Sequence, residues 1–595
     1  MVVSFNGRHK KATFAGVTRN TTAMTLLTCI LLLTLCYLPA QAQVAQLPLP
    51  HYPKHETRAV WLTTYSSLDW PKHKATDHKG IAAQQEELRQ VLDRLQAIHI
   101  NTVLLQTRIR GSVIYPSDIE PWDACLTGTA GRSPGYDPLQ FAIEECHRRG
   151  MELHAWVVCI PSFKTGSPNA TLPQSVLRRH KELCVRHGDS WYLDPGRPGT
   201  AGYLAGICAE ITRTYDIDGI HLDYIRYPEQ AAGFNDKASY RKYGGRQPKN
   251  TWRRQNITRC VSEIYHTVKA LKPWVKVSSA PIGKHADLSR YSSRGWNARD
   301  AVHQDAQEWL RAGIQDLLIP MMYFKDNNFF PFAIDWQEQA QDKTVVPGLG
   351  VYMLSKEERD WPLSDVVREL HFTRTAGMGG QAFFRYAFLD QDHKGIYRYL
   401  QDCFYAFPAL PMPLTAPDSC AAPEPPTHLQ VVFTPQGAWL QWQPATPPQA
   451  AREVRYNLYA AAGRTPDTSQ ATDLMVAHTD SCRLRIDGEA CLNADIRFAV
   501  TATDRYGRES QPATTTVLPL QQPAHHPRLL THDGHTLQLP PTTAPFVVIG
   551  NLQGRIVATR KAGAQADIST LPQGWYTVRS LDKGGRNTAM GAFVK

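Results

Sequence analysis

The chain has no Cys-x-x-Cys pair and no His-Glu-x-x-His, the spacings that set up a zinc site, so no metal and no other cofactor is expected. It has no Gly-rich phosphate loop, which sets aside chemistry driven by nucleotide binding. It has no run of five or more Lys or Arg. The net charge of +11 is scattered, and with no nucleic-acid-binding signature beside it no nucleic-acid partner is expected. Long apolar runs are missing too: the stretch from Thr25 to Leu38 is too short, and too soon followed by Pro39, to make a stable membrane span.

What stands at the N-terminus fits export. Arg8, Lys10, Lys11 and Arg19 precede that apolar run, and Ala40-Gln41-Ala42 ahead of Gln43 has the small-x-small form of a cleavage site. A signal peptide over residues 1–42 is expected, with the mature protein in the periplasm, at the cell surface or secreted. Export permits disulfides. Of the twelve cysteines, Cys482 and Cys491 are close enough for a local bridge, and Cys403 and Cys420 flank a Pro-rich stretch. Cys146, Cys159, Cys184, Cys208 and Cys260 lie in apolar patterns and read as buried thiols.

At 595 residues, with 42% hydrophobic and 20% charged side chains, the chain has ample core for one large domain with smaller companions. Strand-like apolar runs alternate with amphipathic helical patterns from Arg58 to Tyr386. Eight are countable: Arg58 to Thr63, Thr102 to Thr107, Leu153 to Val158, Gly219 to Asp223, Val275 to Ala280, Leu317 to Met322, Val345 to Val351 and Gly380 to Arg385. Leu88, Val91, Leu92, Leu95 and Ile98 recur at helical spacing between the first two, and Pro138 and Gly150 bracket another helical pattern. Eight βα units predict an α/β fold, a (β/α)₈ barrel of the TIM type over residues 56–407.

A Pro-rich connector spans residues 408–426 and should be semi-extended. Residues 427–518 alternate apolar and polar side chains in short runs between turn clusters, which predicts an antiparallel β-sandwich. With Trp442, Tyr456 and Phe498-Ala499-Val500-Thr501-Ala502, this segment resembles a fibronectin type III domain. Residues 523–595 predict a second small sandwich. With Gly554-Arg555 and Leu571-Pro572-Gln573-Gly574-Trp575-Tyr576 it is similar to the C-terminal sorting domains of the type IX secretion route; a plain accessory β-domain fits the pattern equally well.

In a parallel barrel the chemistry sits at the carboxyl ends of the strands. There the sequence places Arg108 and Arg110 after strand two, His154 and Trp156 on strand three, and Asp223, Arg226 and Tyr227 after strand four. Tyr323, Lys325 and Asp326 follow strand six, Tyr352 strand seven, and Arg385 and Tyr386 strand eight. Carboxylates, arginines and aromatics without phosphate loops suit glycosidic bond cleavage, which needs an acid and a base or nucleophile around an oxocarbenium-like centre.

Six segments carry a more specific resemblance: Thr57 to Leu62, Arg108 to Pro116, His154-Ala155-Trp156, Trp191 to Gly196, Tyr215 to Pro228 and Pro320-Met321-Met322-Tyr323. Together they resemble the glycosyl hydrolase-like family 10 barrels of exported bacterial proteins. The resemblance implies a (β/α)₈ fold and glycoside hydrolysis, with bacterial cell-wall glycan as the substrate of some relatives. One departure stands in it: where relatives often continue from His-Ala-Trp with Asn-Pro-Tyr-Arg, this chain has Val157-Val158-Cys159-Ile160-Pro161-Ser162.

Asp223 is the leading catalytic carboxylate, as nucleophile or general base, and Asp326 is the first choice for the general acid because strand six faces strand four across the mouth. Arg108 and Arg226 either bind sugar groups or hold Asp223 ionised. Trp156 is the better stacking platform, and His154 reads either as a substrate contact or as a satisfied core residue. Tyr227, Tyr323 and Arg385 complete the expected substrate-binding set. Asp194 should cap the helix that follows it, and Asp216 and Asp218, at the amino end of strand four, should be structural. The reading is an exported glycoside hydrolase acting on a polysaccharide, peptidoglycan glycan being favoured; the alternative is a glycan-binding surface protein without turnover.

Overall fold

The computed structural model describes residues 52–229, 231–291, 295–417, 420–434, 437–447, 453–486, 496–515, 529–551, 556–581 and 587–595. The expected signal peptide, the Cys491 half of one expected bridge, and Gly554-Arg555 fall outside them.

Eight parallel strands form the first domain: β1 (Thr57–Leu62), β2 (Thr102–Arg108), β3 (Glu152–Val158), β4 (Gly219–Asp223), β5 (Lys276–Ser279), β6 (Leu317–Leu318), β7 (Thr344–Val345 continued by Gly348–Leu349) and β8 (Gly380–Phe383). Pro347 has no N–H to give the ladder, so β7 is paired in two pieces. Its first piece pairs with β6 (Val345 beside Leu318) and its second with β8 (Leu349 beside Phe383). Because β1 pairs with both β8 and β2, the sheet closes into a barrel. The principal helices on the outside are α1 (His78–Gln96), α2 (Pro138–Arg148), α3 (Pro198–Thr214), α4 (Lys249–Leu271), α5 (Ala306–Arg311), α6 (Phe330–Glu338), α7 (Leu363–Thr375) and α8 (Ile396–Tyr399). Local sequence sets their limits: Asp137 accepts from the N–H groups of Leu139 and Gln140 at 3.1 Å ahead of Pro138, and Gly150, at φ 73°, ends the turn after α2.

Alternation along the strands divides the core in two. Val60, Val103, Leu105, Leu153, Val157, Ile220, Leu222 and Val277 pack outward under the helices. Ala59, Trp61, Leu104, Trp156, Val158, Ala280, Leu317, Ile319 and Ala382 fill the barrel interior.

The C-terminal region is all β. Strands Thr427–Thr434, Gly437–Gln443 and Arg483–Ile486 form one sheet, and Leu474–Thr479, Arg455–Ala462, Ile496–Thr503 and Ala513–Thr514 a second. Both contribute to one core around Leu440, Trp442, Tyr456, Leu458, Phe498 and Val500. A four-stranded sheet of Ile556–Lys561, Phe546–Asn551, Trp575–Leu581 and Asn587–Val594 follows, with its own core around Leu537, Val547, Ile549, Val578 and Phe593.

The connector is not free along its length. Leu410 is buried and exchanges backbone hydrogen bonds with Lys54 and Glu56 at 2.8 Å, so its first residues extend the amino end of β1. The barrel floor is also joined to the first sandwich. Arg455 donates to Asp218 at 3.1 Å and Arg505 to Asp216 at 2.5 Å. Cys403 and Cys420 are free thiols, and the five cysteines expected to be buried are buried and free.

Candidate active site

Asp223 is the last residue of β4 and, like His221 two residues before it, points into the barrel. Its carboxylate is 5% exposed. One oxygen accepts from Trp156 Nε1 at 3.1 Å and the other from the backbone N–H of Tyr224 at 2.7 Å. The second bond exists because Tyr224 adopts a left-handed conformation, φ 48°, which costs a non-glycine residue about 1 kcal/mol or more. Below it, His221 accepts from Trp61 Nε1 at 3.1 Å and is paired with Ser278 Oγ at 2.9 Å. Burial, aided by His154, pushes His221 down to about 3, so it stays neutral as a strut of the interior.

Burial is the largest influence on Asp223 and raises its pKa. Arg226, the Tyr224 N–H, Trp156 and Arg110 pull the other way without overcoming it. Of the two roles expected for Arg108 and Arg226, neither arginine forms a bonded pair with Asp223 among the described residues, and burial is the largest influence on it. Arg226 lies 4.5 Å from the Tyr224 ring centroid, with its Nε buried and unpartnered. Tyr323 is partly buried, and its buried hydroxyl has no hydrogen-bond partner among the described residues. Burial, then the Asp223 charge, pushes its pKa well up. Its ring packs against Phe384, Tyr352 and Trp61 at centroid distances of 5.4, 5.7 and 6.5 Å.

The structure thus brings Asp223, Trp156, Arg226 and Tyr323 together and places the other expected residues elsewhere. Asp326 is 53% exposed and pairs with Arg368 of α7 at 3.0 Å, outside the buried group around Asp223. It starts a one-turn 3₁₀ helix whose backbone turns it to solvent. Arg108 is fully buried in a two-pronged pair with Glu120 at 2.6 and 2.7 Å and also donates to the Val158 and Cys159 carbonyls. A register shift between Gln106 and Arg108 turns it sideways, onto the end of β3. His154 faces Glu152 at 3.2 Å near the floor, its ring against Gly219, where an added Cβ would stand 2.6 Å from it. Tyr227 is buried behind the strand, edge-on to Phe234 and His303. Arg385 is at the mouth but occupied, bonded to Asp69 and to the Leu68 carbonyl. Asp194 makes the turn before α3, accepting from Gly196 N at 2.9 Å.

Arg110, expected after strand two but given no role there, acts together with Arg226 on Asp223, Tyr192 and Tyr224. Two carboxylates that sequence reasoning did not single out also take part. Glu229, after β4, reaches Tyr224 and Tyr192, and Asp189, after β3, lies near Arg110. The signal for Arg110 was present in its spacing from Arg108, but the shift that reverses the two arginines is tertiary. A desolvated carboxyl among aromatic rings, with unsatisfied donors beside it, is equipped to bind a sugar ring and to hold or deliver a proton at Asp223 Oδ2.

Beside this centre a cavity of about 630 Å³ opens between the loops that follow β1, β2 and β3, with Arg110 in its wall.

The chain is similar to known proteins over much of its length. The chain is 30% identical over 482 residues to Glycosyl hydrolase YngK of Bacillus subtilis (strain 168), covering 78% of this chain and 93% of that protein. It is 33% identical over 341 residues to Glycosyl hydrolase DigH of Escherichia coli (strain K12), covering 53% and 78%. Among solved structures, alpha-L-fucosidase isoenzyme 2 from Paenibacillus thiaminolyticus superposes with a TM-score of 0.41 at 15% identity, covering 59% of this chain and 49% of that one. The model of the family described as Glycosyl hydrolase-like 10 matches residues 56–358. The chain belongs to the glycosyl hydrolase-like 10 family.

Proposed function

We propose that the protein is an exported glycoside hydrolase that cleaves glycosidic bonds of a polysaccharide, peptidoglycan glycan strands being the favoured substrate, with Asp223 as the residue that gives the proton to the leaving oxygen. One observation carries this reading. Asp223 is a buried carboxyl at the carboxyl end of a barrel strand, with its pKa raised by desolvation and with Trp156, Arg226 and Tyr323 around it. A general acid needs this environment, since a carboxyl ionised well below working pH has no proton to give. Tyr323 and Arg226 hold unused hydrogen-bonding atoms for sugar hydroxyls, and Trp156 and Tyr224 offer ring faces. The second carboxylate that hydrolysis requires comes from the rim loops, where Glu229 and Asp189 stand.

The fibronectin type III-like and sorting-domain-like readings of the C-terminal region supply a spacer and an export element in this proposal. The alternative, glycan binding without turnover, is favoured by one feature: Asp326, the expected partner of Asp223, faces solvent. The two part on one experiment. Peptidoglycan strands with and without stem peptides, in a panel with other polysaccharides, are incubated with the protein and with Asp223→Asn, and new reducing ends are counted. Release by the parent and none by the variant supports hydrolysis. Tight binding by the parent with no product from any glycan establishes the alternative.

A further inference from the structure

We propose that the cavity beside Asp223 is a subsite for a sugar unit that carries an anionic substituent, a carboxylate above all, so that the enzyme selects acidic glycan chains. This rests on the glycoside hydrolase reading of the neighbouring centre. The cavity's volume of about 630 Å³ is within the range of ligand pockets and holds at least one substituted sugar ring. Lys74, Arg110 and Lys164 line it against a single carboxylate, Asp123. That carboxylate is consumed internally: it accepts from Cys125 N at 2.7 Å, Ser112 Oγ at 2.5 Å and Asn169 Nδ2 at 3.3 Å.

The cations differ in how committed they are. Lys74 is spent on Ser67 Oγ at 2.8 Å and the Cys125 carbonyl at 2.7 Å. Arg110 and Lys164 have no hydrogen bond or ion pair among the described residues, although the rim carboxylate of Asp189, itself bonded to Ser190, lies in electrostatic reach of both. The Arg110 guanidinium rests 5.1 Å from the Tyr65 ring centroid, which holds it at the junction of the cavity and Asp223. A planar guanidinium with open donors is suited to a carboxylate.

The wall carries two buried polar groups that lack partners. Ser162 is 1% exposed and its Oγ has none; Asn169 is 9% exposed and its Oδ1 has none. Burying such groups unpaired is costly, and a ligand hydroxyl or amide would satisfy them. Gly111, at φ 74°, lets the Phe163 ring close the wall, since an added Cβ there would stand 2.7 Å from the ring. The segment Val157 to Ser162, expected to depart from the family pattern, supplies part of this wall through Ser162.

The test uses the full chain carrying Asp223→Asn, which binds without turnover, and two probes: peptide-free peptidoglycan strands, and the same strands after chemical reduction of their carboxylates to alcohols. Reduction should weaken binding about tenfold or more, the loss expected for a charge-assisted pair. Adding Lys164→Gln, an exposed rim change that leaves the fold alone, should remove most of that preference. Equal affinity for both probes overturns the proposal, as does a preference that Lys164→Gln and Ser162→Ala both leave intact. Cleavage by the parent separates the two readings. Equal cleavage of both probes sinks the subsite and leaves hydrolysis standing, whereas selective binding without cleavage by the parent does the reverse.

Discussion

Two carboxylates at opposite ends of β4 share one degree of burial and have opposite chemistry. Asp218 immediately precedes the strand and Asp223 ends it, about 16 Å apart at the rise of a strand. Burial is the largest influence on each, and it raises both pKa values. At Asp218 it is overcome by Arg455, His147 and Arg505, and the carboxyl is held well below the ordinary range. His147 bonds it at 2.8 Å and the Leu153 N–H at 2.9 Å. At Asp223 the partners among the described residues are an indole and a backbone N–H, and burial wins. A floor carboxylate whose charge is matched ties the barrel to the first sandwich; a mouth carboxyl without a bonded cation has its pKa raised by burial.

The contrast is sharpest in activity. If Asp223 is the proton donor proposed above, Asp223→Asn should lower the rate of reducing-end release by a factor of about 10² to 10⁴, the range that general acid catalysis contributes. Arg455→Met should leave the rate per folded molecule unchanged. A variant at the mouth that is fully active, or one at the floor that is inactive while folded, would erase the distinction.

Next in size is stability. Arg455→Met leaves Asp218 short of a buried cation and should cost about 3 kcal/mol in urea unfolding.

The pH dependence should run in opposite directions. Asp218, held low, contributes stability that is present above the unfolded-chain value of about 4 and is lost as pH falls through its lowered value. Asp223, held high, binds its proton more tightly in the folded state. Its contribution is present below about pH 4 and is lost as pH rises through its raised value. Measured by urea unfolding from pH 4 to 7, Asp223→Asn should gain on the parent as pH rises, and Asp218→Asn should lose ground. A difference between Asp223→Asn and the parent that stays flat across this range would show that the mouth carboxyl is not raised.

The smallest effect is expected at Asp326. Its pair with Arg368 is exposed, so Asp326→Asn should change stability by less than about 1 kcal/mol and leave cleavage intact. Loss of cleavage would return Asp326 to the site.

Much of the fold was legible because apolar period and strand count are local properties. Gly219–Asp223 was bounded correctly, and the other strands were found within a few residues; β6 and β7 came out shorter because Pro320 and Pro347 cannot donate to the ladder. Of the candidate residues, Asp223, Trp156, Arg226 and Tyr323 were placed by strand-end logic and lie together in the structure. Arg108, His154, Tyr227 and Asp326 lie away from that group, each for its own reason. A register shift turned Arg108 away, His154 lies one layer too low in the barrel, Tyr227 lies behind the strand, and a turn carries Asp326 to solvent. Arg385 reached the mouth but spends its charge on Asp69.

The sequence by itself determined the barrel, its β-rich companion region and the strand end at which a carboxyl emerges, because alternation and turn residues act over a few positions. Only the tertiary structure decided that Arg108 is turned away from Asp223, that burial outweighs the cations around it, and that Ser162 Oγ and Asn169 Oδ1 lack partners among the described residues in one cavity wall. Those outcomes depend on distances between side chains hundreds of residues apart, and on how much water each one loses.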